Sequence, residues 1–167
     1  RLCRDWSSDV CSSDLSAILL GHLLGGGPSA LLFQEIREKR GLAYSVHGRV
    51  DKFLGLLTIH AGLKLSHTEE VKTVVVELLN ALKTGSIDVS ALERSKKMLL
   101  GSYFALADTP VGCLNFVHSQ GVAKLPESFE EVTQIVNEID SSDISNIANK
   151  LRFVGGYTLA PKEKNHD

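Results

Sequence analysis

Arg37 and Tyr44 stand seven residues apart in "EIREKRGLAY", across a turn that reads as helix to strand. A guanidinium is a permanently charged planar donor and a phenol a neutral one. Carried on two rigid elements, they can converge on one carbonyl or developing oxyanion. Residue physics alone gives a plainer account, because period-two alternation puts Tyr44 on one strand face with Val46 and Val50, as a core tyrosine beside a surface arginine. The preceding "GGGPSA" fits G-x-G-x-x-[GA] at Gly25, Gly27 and Ala30, with Asp51 at the end of the following strand. A dinucleotide site needs a parallel strand before such a loop and a crossover after it. Here the strand through Asp51 turns straight back. Pro28 removes an amide that a helix N-terminus would offer a pyrophosphate, and no Lys-Ser or Lys-Thr follows the glycines. A structural turn is the better reading, with a nucleotide-binding module as the distant alternative.

The six histidines give no metal spacing. "HTEEV" comes within one residue of H-x-x-E-H, but Val71 stands where the second ligand would be. His67 in the first turn of a helix suits a solvated or capping role, while His22, His47, His60 and His118 are isolated and read as satisfied or surface groups. His166 lies in the charged tail. There is no G-x-S-x-G elbow, and Cys113 on a predicted helix reads as a buried thiol. Glu69 with Glu70, and Glu130 with Glu131, fall in first helical turns, where they complement the helix dipole.

The elements that must position these groups follow from periodicity. A helix from Ser16 to Leu24 ends at the three glycines, which suit a left-handed stop. A second opens at Pro28 and Ser29, carries Leu31, Leu32, Ile36 and Phe33 on one side, and stops at Gly41. Leu42 to Asp51 and Leu56 to Leu63 form an antiparallel pair. Capping boxes at Ser66 with Glu69, Ser90 with Glu93 and Ser128 with Glu131 open three helices. Pro110 interrupts the second, and a short helix occupies Asp143 to Leu151. A last strand lies near Gly156 to Leu159. The fold class is α+β, a two-layer sandwich of helices on a small antiparallel sheet.

With 167 residues, 43% hydrophobic and 23% charged, the sequence suits one globular domain. A net charge of −2 supplies no basic field for nucleic acid, and no apolar run is long enough to span a membrane. Three cysteines without a CxxC pair suit a reducing cytoplasm. The opening "RLCRDWSSDVCSSDL" has no usable period and no signal-peptide layout. Residues 1–15 read as translated sequencing adapter or a disordered tail, so residues 16–167 are expected to be a domain truncated at its N-terminus.

The run "LLGGGPSALLFQEIREKRGLAYSV", followed by "GLLTIHAGL" and "EEVKTVVVELLNALKTGSID", closely resembles the C-terminal peptidase-like lobe of the pitrilysin/insulinase family of zinc metalloproteases. The likeness runs from about Ser16 to Leu106, with a vaguer helical match to Leu159. It implies one lobe of a clamshell whose other lobe carries zinc on H-x-x-E-H plus a downstream Glu. The metal-free lobe contributes an Arg and, seven residues later, a Tyr that contact the substrate near the scissile bond. Arg37 and Tyr44 match that pair in type and spacing. Pro28 and Ala30 depart from the family pattern, which commonly shows a small residue or Met and then Ser-Arg. "NFVHSQGVAKLPESFEEV" further resembles non-catalytic insulinase-family proteins, including those associated with elongation factor P modification.

The resemblance therefore implies a substrate-binding lobe with Arg37 and Tyr44 as its site residues. It would have no catalytic residue, metal or cofactor of its own as an isolated fragment. Zinc is expected on the missing lobe or a partner subunit, the partners being a peptide substrate and that homologous zinc-bearing lobe, in the cytoplasm. A pseudoprotease scaffold that supports an active partner without taking part in the chemistry is the alternative.

Overall fold

The computed structural model describes residues 10–126 and 128–160. Residues 1–9, with Cys3, and the charged tail 161–167, with His166, lie outside the described residues. Helix α1, Val10–Gly25, is the centre of the molecule. It is apolar nearly all round, and Leu15, Leu19, Leu20, Leu23 and Leu24 are buried, as an all-apolar helix must be. The helix thus runs through the 15/16 boundary expected from sequence. One side of α1 lies against strand β1, Ala43–Asp51, and the other meets helices α3 (Val89–Ala107), α5 (Phe129–Glu138) and α6 (Ser141–Lys150). Helix α2, Thr68–Lys83, packs on α6, and α4, Pro110–Ala123, on α3. Rings of α3, α4 and α5 close that end: Phe116 stacks on Phe129 at 4.1 Å and meets Tyr103 edge-on at 5.5 Å.

β1 pairs antiparallel with β2, Leu56–Leu63. Their turn is held by Asp51, whose Oδ1 accepts the N–H groups of Phe53 and Leu54 at 2.9 and 3.0 Å, with Gly55 in the left-handed region at φ +61°. The carboxylate that a ribose would need is therefore engaged in a turn.

The glycine run does not end α1 by left-handed geometry, since the glycines with positive φ are Gly41, Gly55 and Gly85. Its role is close approach: a Cβ on Gly25 would stand 1.9 Å from the Gly48 nitrogen of β1, and one on Gly27 2.6 Å from the Met98 methyl of α3. With a helix where the fingerprint needs a strand, and the loop packed on β1 and α3, the dinucleotide context is absent among the described residues.

Other expectations are corrected by competing local bonds. Ser66 does not cap α2, because a 3-10 turn over Leu65–His67 occupies that position and the cap residue His67 makes no capping bond. Ser90 donates its amide and hydroxyl to Asp88, which is the cap of α3. Ser128 does cap α5, accepting from the Glu131 amide at 3.0 Å. Helix α6 opens two residues before the expected start, with a complete capping box between Asp140 and Asp143. No strand forms near Gly156–Leu159. Phe153, Tyr157 and Leu159 are exposed there, and among the described residues no neighbouring strand is in place to pair with them.

His22, on α1, is half-buried and not fully satisfied. Its Nδ1 is buried without a hydrogen-bond partner among the described residues, and burial holds its pKa below the ordinary value. The unfolded chain takes up this proton near pH ~6.5 while the folded chain resists it. Stability is therefore complete above that pH and lost as pH falls through the window below it. Urea unfolding at about pH 7.5 and about pH 5.5 is expected to give a larger loss of midpoint for the wild type than for His22→Leu.

Candidate functional site

Between α1 and β1 the chain forms a π helix, Phe33–Lys39, rather than the expected α helix opening at Pro28. In this wider coil the fourth residue on lies nearly above the first, and the Arg37 guanidinium sits 4.7 Å from the centre of the Phe33 ring. Its one carboxylate neighbour among the described residues, Glu38, is at 4.0 Å, and the Arg37 side chain is about half exposed. Among the described residues the guanidinium makes no hydrogen bond, so its donors remain available.

Gly41 ends the coil at φ +63°, and the Gly41 and Leu42 amides return to the carbonyls of Arg37 and Ile36 at 3.1 and 2.8 Å. The Leu42 carbonyl in turn accepts from Nδ1 of His67, at 3.1 Å. A carbonyl can only accept, so this nitrogen carries the proton. Arg40 pairs loosely with Glu77 of α2 at 3.7 Å. The connection between the two candidate residues is thus tied to its own helix and to α2.

Tyr44 is not the core tyrosine that alternation predicts. Ala43 pairs with Leu63 and Ser45 with Gly62, so two steps along β1 match one along β2 and Tyr44 is the unpaired residue of a bulge. The extra residue breaks the alternation: Ala43 and Val46 are both buried, and Tyr44 is 69% exposed. Its hydroxyl has no partner among the described residues. Gly62, opposite Ser45, leaves room for that side chain, since a Cβ there would stand 2.8 Å from the Ser45 hydroxyl oxygen. A glycine inside an apolar strand was the one sequence signal that could have revealed it.

The structure therefore puts Arg37 and Tyr44 on consecutive packed elements, both exposed and both with unspent donors. The shallow hollow lined by Phe104, Phe129, Glu130, Thr133 and Gln134 includes neither of them.

The histidines among the described residues give no metal centre. His47 and His60, expected to be isolated, face each other across the hairpin, but two imidazoles are only two ligands. Among the described residues no group of three or more His, Cys, Asp or Glu is placed to hold a metal ion. Cys113 is half-buried rather than buried, with its thiol 3.6 Å from the Ala107 carbonyl.

Residues 13–99, more than half of the chain and including both candidate residues, match the family described as the peptidase M16 inactive domain. The chain belongs to this family. Among relatives of the M16 domain, a Bacillus subtilis (strain 168) protein named "Probable inactive metalloprotease YmfF" is 26% identical, over 84% of this chain and 33% of its own length. A second from the same organism, "Uncharacterized zinc protease YmxG", is 30% identical over 86% of this chain and 36% of its own length. The crystal structure of a peptidase M16 inactive domain from Pseudomonas fluorescens superposes with a TM-score of 0.66, at 27% identity, over 82% of this chain and 34% of that one. A conserved protein from Enterococcus faecalis V583 gives 0.76 at 23% identity, over 85% and 34%, a likeness of fold. The M16 chain described here thus spans about a third of the length of the relatives it matches. The insulinase-type resemblance and the α+β architecture both stand, and no helix among the described residues is long and apolar enough to cross a membrane.

Proposed function

We propose that this M16 domain is the metal-free, peptide-holding lobe of a larger zinc metalloprotease, with Arg37 and Tyr44 presented to the substrate backbone near the bond to be cleaved. The observation that carries the reading is the bulge, which leaves Tyr44 exposed with its hydroxyl free, on the strand that packs against the coil carrying the Arg37 guanidinium and its unspent donors. An exposed phenol and guanidinium on rigid elements can donate to a carbonyl oxygen as negative charge develops on it, without reorganising at the moment of reaction. The metal-ligating residues belong, in this proposal, to a homologous lobe or subunit, since the described residues of this chain offer no ligand set. No chemical step through the metal is assigned to the chain itself. The free thiol of Cys113 suits a cytoplasmic setting.

One relative's name, "Probable inactive metalloprotease YmfF", favours a second reading in which the lobe supports an active partner as a pseudoprotease scaffold. Peptide hydrolysis by the full-length protein with its zinc-bearing counterpart separates the two. In the substrate-holding reading Arg37→Ala lowers turnover while the melting temperature stays nearly unchanged. Hydrolysis that needs this protein and is indifferent to both Arg37 and Tyr44 supports the scaffold.

A further inference from the structure

We propose that His67 is a positioning residue for Tyr44, acting through the Leu42 carbonyl. The inference rests on the substrate-holding reading of Tyr44 just given, and its structural part stands on the geometry alone.

A bulged residue has surrendered its ladder bonds, so its direction is set by the residues on either side. On the C-terminal side Ser45 re-enters the register opposite Gly62. On the N-terminal side Leu42 is buried, and both of its backbone polar groups are committed: the amide to Ile36, the carbonyl to His67. The His67 bond is the one that comes from outside the segment. It crosses 25 residues of sequence and fixes the turn to α2.

The turn that carries the imidazole is itself held. The His67 amide bonds to the Lys64 carbonyl at 2.9 Å, and the Thr68 hydroxyl to the Leu65 carbonyl at 2.8 Å. This turn forms where the sequence pattern led to a serine cap. A cap at Ser66 would have served the helix alone, whereas the 3-10 turn aims a ring nitrogen at the peptide two residues before Tyr44. Without this bond the carbonyl of the buried Leu42 is unpaired, and the bulge loses its fixed end.

Three variants of the full-length protein, assayed with its zinc-bearing counterpart, test the proposal. His67→Asn places an amide nitrogen near the position of Nδ1, His67→Gln places it further out, and His67→Ala removes the donor. Misplacement by about 1 Å costs up to ~10²-fold in rate, so His67→Ala is expected to lower kcat by about 10- to 100-fold with KM little changed. Asn should restore most of the loss and Gln little. Amide exchange at Ala43, Tyr44 and Ser45 is expected to rise in His67→Ala and return in His67→Asn, while the amides of α3 and α5 keep their protection.

If Tyr44→Phe lowers turnover and His67→Ala does not, the positioning role is overturned while the reading of Tyr44 survives. If Tyr44→Phe leaves turnover unchanged, the functional reading fails, and the exchange data still decide whether His67 orders the bulge. Unchanged exchange at residues 43–45 in His67→Ala overturns the proposal whatever the activity does.

Discussion

Gly25→Ala is expected to destabilise the fold by about 3 kcal/mol or more, a large part of a domain's total of ~5–15 kcal/mol. The added methyl would stand 1.9 Å from the Gly48 nitrogen, 2.4 Å from its Cα and 2.8 Å from the His47 carbonyl carbon. All three are backbone atoms of β1, so no rotamer change relieves the clash, and α1 must move off the strand it covers. Overpacking of a tight core typically costs ~1–3 kcal/mol, and contact with main chain alone puts this site at the top of that range. At roughly 2–4 °C per kcal/mol for a chain of this size, the melting temperature should fall by about 6–12 °C. Gly101→Ala is the matched control: nothing lies within 4 Å of a Cβ there. Inside α3 it should gain up to ~1 kcal/mol from helix propensity alone. Equal stability of Gly25→Ala and the wild type would remove the packing account of the glycine run and reopen the question of a ligand.

Under the proposed substrate-holding role, Tyr44→Phe is expected to lower kcat by ~10²–10³ in the full-length protein with its zinc-bearing counterpart, the typical loss on removing one oxyanion donor and equivalent to about 2.7–4 kcal/mol of transition-state binding. Stability should change by less than ~0.5 kcal/mol, because the side chain is 69% exposed and its hydroxyl has no partner among the described residues to lose. That contrast makes the variant informative. A buried, bonded tyrosine would give the opposite pattern, with stability falling and activity following it. KM should move little, since the bond is made to charge that develops only as the reaction proceeds. A stability loss with no specific effect on turnover would return Tyr44 to a structural role.

How far these features were legible in the sequence depends on whether their cause was local. Gly41 and Gly85 follow the ends of their helices with positive φ and Gly55 completes the hairpin turn in the same way, and each is visible as a glycine at the edge of a periodic segment. The Ser128 cap was equally plain, a serine three residues before the glutamate whose amide it accepts. Ser90 was a false cap: an acceptor two residues earlier, Asp88, takes both its donors, and a charged acceptor outcompetes a hydroxyl. The expected strand near Gly156 had the right composition, but a strand exists only when another pairs with it, and that partner is not a property of the segment.

The site divides in the same way. The types and spacing of Arg37 and Tyr44 were readable, and so was their likeness to a family pair. The exposure of Tyr44 was not, because alternation assumes an unbroken register and the extra residue becomes visible only when Ala43 and Ser45 are matched to Leu63 and Gly62. The π coil under Arg37 and the His67 bond were hidden for a related reason, since each depends on a partner outside the local pattern.

Photo-crosslinking from position 44 tests the central claim most directly. A benzophenone amino acid is placed at Tyr44, and in a second protein at Phe53, which is also exposed but lies at the far end of β1 beyond Asp51. Each is irradiated with a labelled, uncleaved peptide in the assembled full-length protein. Label on the peptide captured at 44, competed by unlabelled peptide and absent at 53, is the predicted result; equal capture at the two positions, or none at 44, would contradict it.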